Sequence, residues 1–411
     1  MASVKRTLIA AAAALVLAGA AGAKGPESAR LCGSSGCVTV RDAATIDAIT
    51  AFAAPFQLAE APGLPAPFYT VVLRDRAPST PFVRLIDSHR MRRAGDVDLP
   101  SVPTGLAWIG SRLLVAGVAA DAALDSQFVG IDPTTRRIRW QTRVVTGSIA
   151  ASARTPGGVG FLLVPNDNMI GHAGLATLSR DGRVRSVALA RIRAGTGIDE
   201  STSQVTTRRP GLAIDPGRNR AFVVDASGLI AEVDLSSLAV SYHSAPRVTA
   251  AAHKVLSGAS RQALWIGDGI LAVSGWDATA TASETAPDEL RTSFSPAGVR
   301  LVDTRTWTSR AVDSTASSIV AADGFLLASG GSPEENPRAV RGAGLSAYGR
   351  HGQLHFHVLG TEPVDTVQLR DGRAYAWSFP RGAGRRSVAI VDLSTGTVLH
   401  QLERSTVLTL L

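Results

Sequence analysis

The sequence predicts an all-β protein, a β-propeller of four-stranded units. Three observations carry this. First, one design recurs along the chain: an alternating apolar strand, a tight turn near an Asp or its substitute, then a more polar strand. It is found in "FVGIDPTTRRIRWQTRV" from Phe128, "GLATLSRDGRVRSVALARI" from Gly174 and "LIAEVDLSSLAVSYHSA" from Leu229. It returns in "AGVRLVDTRTWTSRAVD" from Ala297, "AGLSAYGRHGQLHFHVL" from Ala343 and "SVAIVDLSTGTVLHQLE" from Ser387. Turn chemistry between alternating runs is a hairpin signal. Second, another hairpin precedes most of these, as in "TGLAWIGSRLLVAGV" from Thr104 and "ALWIGDGILAVSG" from Ala263. Residues 148–165 fit that pattern less cleanly. Third, the turns from Asp87 to Asp132, Ser179 to Asp234 and Asp234 to Asp303 lie about 45, 55 and 69 residues apart. Units of four strands at such spacing build propellers.

Residues 1–23 read as an export signal. Lys5 and Arg6 start it, "LIAAAAALVLA" from Leu8 to Ala18 is its apolar stretch, and Ala21-Gly22-Ala23 fits a cleavage site. The alternative is an uncleaved anchor, for which the stretch is short. No later stretch is apolar enough to span a membrane. The location expected is secreted or extracytoplasmic.

Residues 24–66 read as an N-terminal extension. Its Cys32 and Cys37, in "LCGSSGC", are the only cysteines. In an oxidising compartment they are expected to form a disulfide. Residues 42–54, "DAATIDAITAFAA", have helical spacing of Ile46, Ile49 and Phe52, with Asp42 as a cap and Pro55 as a stop.

The propeller is placed at 67–411. Six complete units lie between Pro103 and Glu403, with three strands of another at 67–100. Residues 404–411, "RSTVLTLL", offer one apolar strand. Joined to the N-terminal three, it would complete a seventh blade and close the ring, removing free edges. The alternative is six blades, with residues 31–95 as a small separate module.

Turns inside the hairpins are tight, but most connections between second and third strands are long: 119–126, 166–173, 275–297, 331–343 and 379–386. The linker 193–210 is long too. In a propeller these segments emerge on one face, and loops on a rigid scaffold gather function. Candidate binding residues there are Trp276, Asp277, Glu284, Asp288, Glu289, Asp167, His172, Glu334 and Glu335. Trp276 and the acidic residues after it come first, because exposed aromatics anchor interfaces. Arg338, Arg341, Arg381, Arg385 and Arg386 share the face, so no single charge sign marks a ligand.

Sharper chemistry is hard to find. "NDNMIGH" starts like a calcium loop but lacks the later acidic ligands. His355 and His357 share a strand face, on an outer strand. No Gly-x-Ser-x-Gly, His-Glu-x-x-His or phosphate-cradling Gly-Lys loop occurs. The formal net charge of +8 comes almost wholly from Arg, the only lysines being Lys5, Lys24 and Lys254. No basic run is interleaved with aromatics, so nucleic acid is not expected as a partner. Arginines crowd two outer strands, at 136–143 and 183–193, where charge protects an open edge.

"IDPTTRRIRWQ" and "VDLSTGTVLHQ" resemble the repeats of exported bacterial propellers of the YVTN, NHL and PQQ-like types. The likeness covers about Phe68 to Leu411. The Trp-Asp dipeptide repeat of WD-type propellers is absent. Trp140 stands where PQQ-like repeats place a tryptophan, but in one unit only, which argues against a quinone enzyme. The resemblance implies the propeller fold more than a function; the chain is expected to be an exported monomer with no cofactor, a divalent metal being the alternative. Its expected role is a non-catalytic scaffold binding an unknown protein or small molecule. The alternative is a hydrolase or lyase resembling the metal-assisted, lactonase-like propellers, with a divalent ion at the channel mouth.

Overall fold

The computed structural model describes residues 29–33, 36–40, 58–60, 68–73, 81–87, 92–109, 113–120, 125–165, 170–199, 204–245, 256–282, 290–322, 324–333, 340–360, 362–370, 372–378, 387–403 and 407–410. The signal-like segment and the expected helix at 42–54 lie outside them.

Every regular element among the described residues is a strand. A hairpin comes first, β1 (Ala29–Gly33) and β2 (Gly36–Val40). The first meander is β3 (Leu58–Glu60), β4 (Phe68–Leu73), β5 (Phe82–Asp87) and β6 (Arg92–Asp98). The second is β7 (Pro103–Ile109), β8 (Leu113–Ala119), β9 (Ser126–Asp132) and β10 (Arg137–Gln141). The third is β11 (Ser148–Thr155), β12 (Gly158–Val164), β13 (Ile170–Ser179) and β14 (Val184–Asp199). An additional strand, β15 (Gln204–Arg209), follows. The fourth meander is β16 (Gly211–Asp215), β17 (Arg220–Val224), β18 (Leu229–Asp234) and β19 (Val240–Ser244). The fifth runs through β20 (Leu256–Gly267) and β21 (Ile270–Ala282), gives off β22 (Leu290–Pro296), then continues as β23 (Val299–Asp303) and β24 (Thr308–Asp313). The sixth is β25 (Ser318–Ala322), β26 (Phe325–Pro333), β27 (Val340–Gly349) and β28 (Leu354–Val358). The seventh is β29 (Val364–Arg370), β30 (Arg373–Ser378), β31 (Ser387–Asp392) and β32 (Val398–Glu403). The last strand is β33 (Val407–Leu410).

Alternation explains how the meanders stack. Successive side chains of a strand point to opposite faces, so each meander contributes to two cores. On β12, Phe161 and Leu163 pack toward the second meander with Phe128 and Val115, while Leu162 packs toward the fourth with Leu212 and Val223. The Phe128 and Phe161 rings stack at 4.4 Å. Similar cores fill the seams between the first and second, fourth and fifth, fifth and sixth, and sixth and seventh meanders. The chain is a β-propeller.

The repeated Asp is a turn device. Oδ1 of Asp132, Asp234 and Asp392 each accepts the backbone N–H groups two and three residues on. The N–H of the fourth residue returns to the Asp carbonyl, from Arg136, Leu238, Trp307 and Gly396. Those residues are left-handed, with φ of 56°, 62°, 58° and 72°. Only one is glycine, so the sequence marks the Asp but hides the backbone reversal.

Around Asp303 the carboxylate accepts from the Arg305 side chain and backbone N–H, which holds its pKa at about 2, against an ordinary 3.8. A depressed carboxylate stabilises the fold above its unfolded pKa, and that contribution disappears as pH falls through the folded value. The stability of the wild type should therefore decline between about pH 4 and pH 2. Asp303→Asn should show a shallower decline in thermal midpoint over that window; an identical slope would contradict the assignment.

The C-terminal strand does not pair where the sequence reading put it. β33 runs parallel to β1, with Arg30 opposite Val407 and Leu31 opposite Thr409. The inner position of the first meander is filled by β3, antiparallel to β4. An apolar tail suits either edge, and the reading missed "LAE" as a strand because it is only three residues long. Removal of residues 405–411 should leave the main unfolding midpoint unchanged and raise amide exchange in Ala29–Gly33. A large drop in midpoint would restore closure by the tail.

Candidate functional site

Two of the segments expected as long loops, 193–210 and 275–297, are largely strand where they are described. β14 continues to Asp199 and returns as β15, Gly195 opposite Arg208 and Asp199 opposite Gln204. β15 then lies parallel to β20, through Thr207 with Gly258, Arg208 with Ala259 and Arg209 with Ser260. β20 pairs with β21, and the far half of β21 pairs with β22, from Trp276 with Pro296 to Ala282 with Leu290. One sheet thus runs β13–β14–β15–β20–β21–β22. It links the third and fifth meanders and passes over the whole fourth meander, which lies between β15 and β20 in sequence. β26 and β27 also extend, pairing Pro333 with Val340.

This geometry corrects the reading of Asp277. It is not a loop residue but lies inside β21, 1% exposed, with its Oδ1 2.8 Å from Nη2 of Arg261, whose side chain is equally buried. Arg261 Nη1 also donates to the carbonyls of Ser260 and Trp276, both at 3.0 Å. Its Nη2 reaches the carbonyl of Ala226, at 3.3 Å, in the β17–β18 turn of the fourth meander. In that turn buried Asp225 accepts from the backbone N–H groups of Ser227 and Leu229 and from the Ser227 hydroxyl. Arg208 completes the group from β15. Burial pushes its pKa below the usual guanidinium range; Asp277 and Asp225 oppose that, and Arg261 reinforces it. Two cations and two anions therefore meet where the bridging sheet rests on the fourth meander. Buried charge survives only when paired and hydrogen-bonded, and this cluster nearly satisfies the rule. Arg261 Nε and Asp277 Oδ2 are buried without a hydrogen-bond partner.

Trp276 is half-buried, and Phe294 of the paired strand meets it edge-on at 5.4 Å. Phe294 is 39% exposed. The two rings give the β21–β22 hairpin an aromatic surface held by the pinned sheet. Phe294 and Arg261 were missed by sequence reasoning. No local signal shows that Arg261 and Asp277 meet; only the register of β20 on β21 does.

His172 is exposed on β13, opposite Arg193. It borders a groove of about 520 Å³ between the second and third meanders, lined also by Asp125, Gly147, Leu163, Pro165 and Val187. Asp125 accepts the Gly147 N–H at 2.7 Å. Asp167, Glu284, Asp288, Glu289, Glu334 and Glu335 lie outside the described residues. His355 and His357 have separate neighbours: Phe325 lies edge-on to His355 at 4.9 Å, and Ser346 is 2.9 Å from Nδ1 of His357. Among the described residues no three His, Cys, Asp or Glu side chains gather in a way that would hold a metal ion. Among the described residues no helix is long and apolar enough to cross a membrane.

No known family profile matches the chain, and no curated protein sequence matches it. Solved structures do. BamB from Moraxella catarrhalis superposes with a TM-score of 0.50 at 13% identity, over 85% of this chain and 88% of that one. Dihydro-heme d1 dehydrogenase NirN gives 0.50 at 14%, over 85% of this chain and 64% of that longer one. Sqt1 from Saccharomyces cerevisiae gives 0.50 at 9%, over 84% of each. At such identities the likeness concerns the fold alone, and it agrees with the stacked meanders.

Proposed function

We propose that this chain is an exported, seven-bladed β-propeller that binds a protein through its strand-built face and is not an enzyme. One observation carries the reading. A sheet with contributions from two meanders is laid across a third and pinned there by buried charge, so that Trp276 and Phe294 stand on a rigid support. Aromatic side chains on a preorganised support bind at low entropic cost. Export rests on the pattern of residues 1–23. It agrees with a Cys32–Cys37 disulfide, since these residues lie directly opposite across β1 and β2.

The test shortens the hairpin without touching its buried base. Ala278 and Thr279 are buried, so residues 281–291 are replaced by a short glycine turn. Partners cross-linked to the wild type in its native host are identified and compared with those of the variant. Loss of a partner at an unchanged unfolding midpoint is expected. An unchanged partner set would overturn the assignment of the hairpin.

A further inference from the structure

We infer that the outer rim of the second and third meanders is a docking surface for an anionic phospholipid bilayer. Arg137, Arg143, Arg180, Arg185, Arg191 and Arg193 are all exposed on β10, β14 and the segments beside them. None has a carboxylate within ion-pair distance among the described residues. The nearby acids are already used: Asp132 pairs with Arg139, and Asp181 with Arg183.

Protection of an open edge does not account for this charge. Every meander has an outer strand with the same need, yet β19, β24, β28 and β32 together hold one arginine, Arg310. β6 carries two arginines and two aspartates in sequence, so its formal charge is zero. Beyond these two meanders exposed arginines without a carboxylate partner, such as Arg310 and Arg373, stand singly on their strands, so the uncompensated charge is concentrated on two neighbouring meanders.

Those two are joined into one support. Trp140 on β10 donates its indole N–H to the Arg180 carbonyl at 3.1 Å. Its ring fills the space beside Gly182 in the β13–β14 turn, where a Cβ would come within 2.7 Å of it. Along β14, Arg185 lies opposite Thr177 and Arg193 opposite His172, five residues apart on β13, roughly 17 Å at the usual strand rise. The positive field is therefore broad and rigid.

Aliphatic groups lie within it. Ile138 and Val144 are 41% and 47% exposed, each next to an arginine in sequence. Basic side chains with exposed aliphatic ones suit the boundary between anionic headgroups and acyl chains. A single-stranded nucleic acid would want free aromatic faces for its bases. Here Trp140 is committed to the seam, and Tyr242 lies under Arg191 at 5.0 Å. Docking by the rim leaves the bridging sheet free, so it stands apart from the function proposed for that sheet.

The experiment is co-sedimentation of the full chain with phosphatidylcholine vesicles, with and without phosphatidylglycerol. Binding to the neutral vesicles reports the apolar stretch at 8–18; the gain on anionic vesicles reports the rim. Arg137, Arg143 and Arg180 make no side-chain hydrogen bond among the described residues, so the Arg137→Gln/Arg143→Gln/Arg180→Gln variant should fold normally. It should lose roughly a hundredfold of the anionic gain. The gain should also vanish at about 1 M salt, where the screening length is only ~3 Å. An Arg310→Gln/Arg350→Gln/Arg373→Gln control removes equal charge elsewhere and should keep most of the gain. No gain on anionic vesicles would overturn the proposal. So would an equal loss in the control, or capture of a soluble polyanion or an acidic protein with no vesicle binding.

Discussion

Replacement of Asp277 by Ala should destabilise the protein by about 3–5 kcal/mol, the usual cost of breaking a buried ion pair from one side. The reason is what remains. The Arg261 side chain is 1% exposed and loses its only charged hydrogen-bond partner among the described residues, keeping three carbonyl contacts. A guanidinium cannot shed its proton to escape. Arg208 would lose an attractive charge as well. Denaturant midpoints at constant slope would measure the loss. The Arg261→Met/Asp277→Leu pair should recover most of it, because two apolar groups leave no orphaned charge. A loss under 1 kcal/mol in Asp277→Ala would mean that the pair is not buried in solution.

The repeats were readable because each uses local signals: alternation, an Asp at the turn, and tight hairpins. "DLSTG" and "DPTT" need only neighbouring residues to act. The bridging sheet was not readable, because its key pairing joins β15 to β20 across an entire meander. Residues 275–297 read as a long connection, although "DATATA" within them alternates as a strand does. Asp277 was read as a surface charge for the same reason. Its partner lies sixteen residues earlier, and no spacing rule places those two together. The basic rim was visible as composition, yet its concentration on two meanders gains meaning only when the other outer strands are set beside it.

The second large effect is expected at Gly275, where β21 leaves the fifth meander. Before it, Ile270 to Val273 pair with β23; after it, Trp276 to Ala282 pair with β22. The change of partner needs a backbone bend, and Gly275 supplies it with φ of 141°, a region side chains rarely allow. A Cβ there would sit 2.0 Å from the carbonyl oxygen of Ser260 and 3.0 Å from Cα of Arg261. Both are backbone atoms of the paired strand, so no rotamer change can relieve the clash. Gly275→Ala should cost about 1–3 kcal/mol for the overpacking and about 1–3 kcal/mol for the backbone conformation. The loss should be local at first. β20 must move from β21 where Arg261 grips the Trp276 carbonyl, so the bridging sheet should loosen before the meanders do. Amide exchange should rise across 256–262 and 276–282 while the cores at Phe161 and Val223 stay protected. Uniform exchange across all meanders would show that the bridging sheet is part of the same cooperative unit, and that Gly275 is not its hinge.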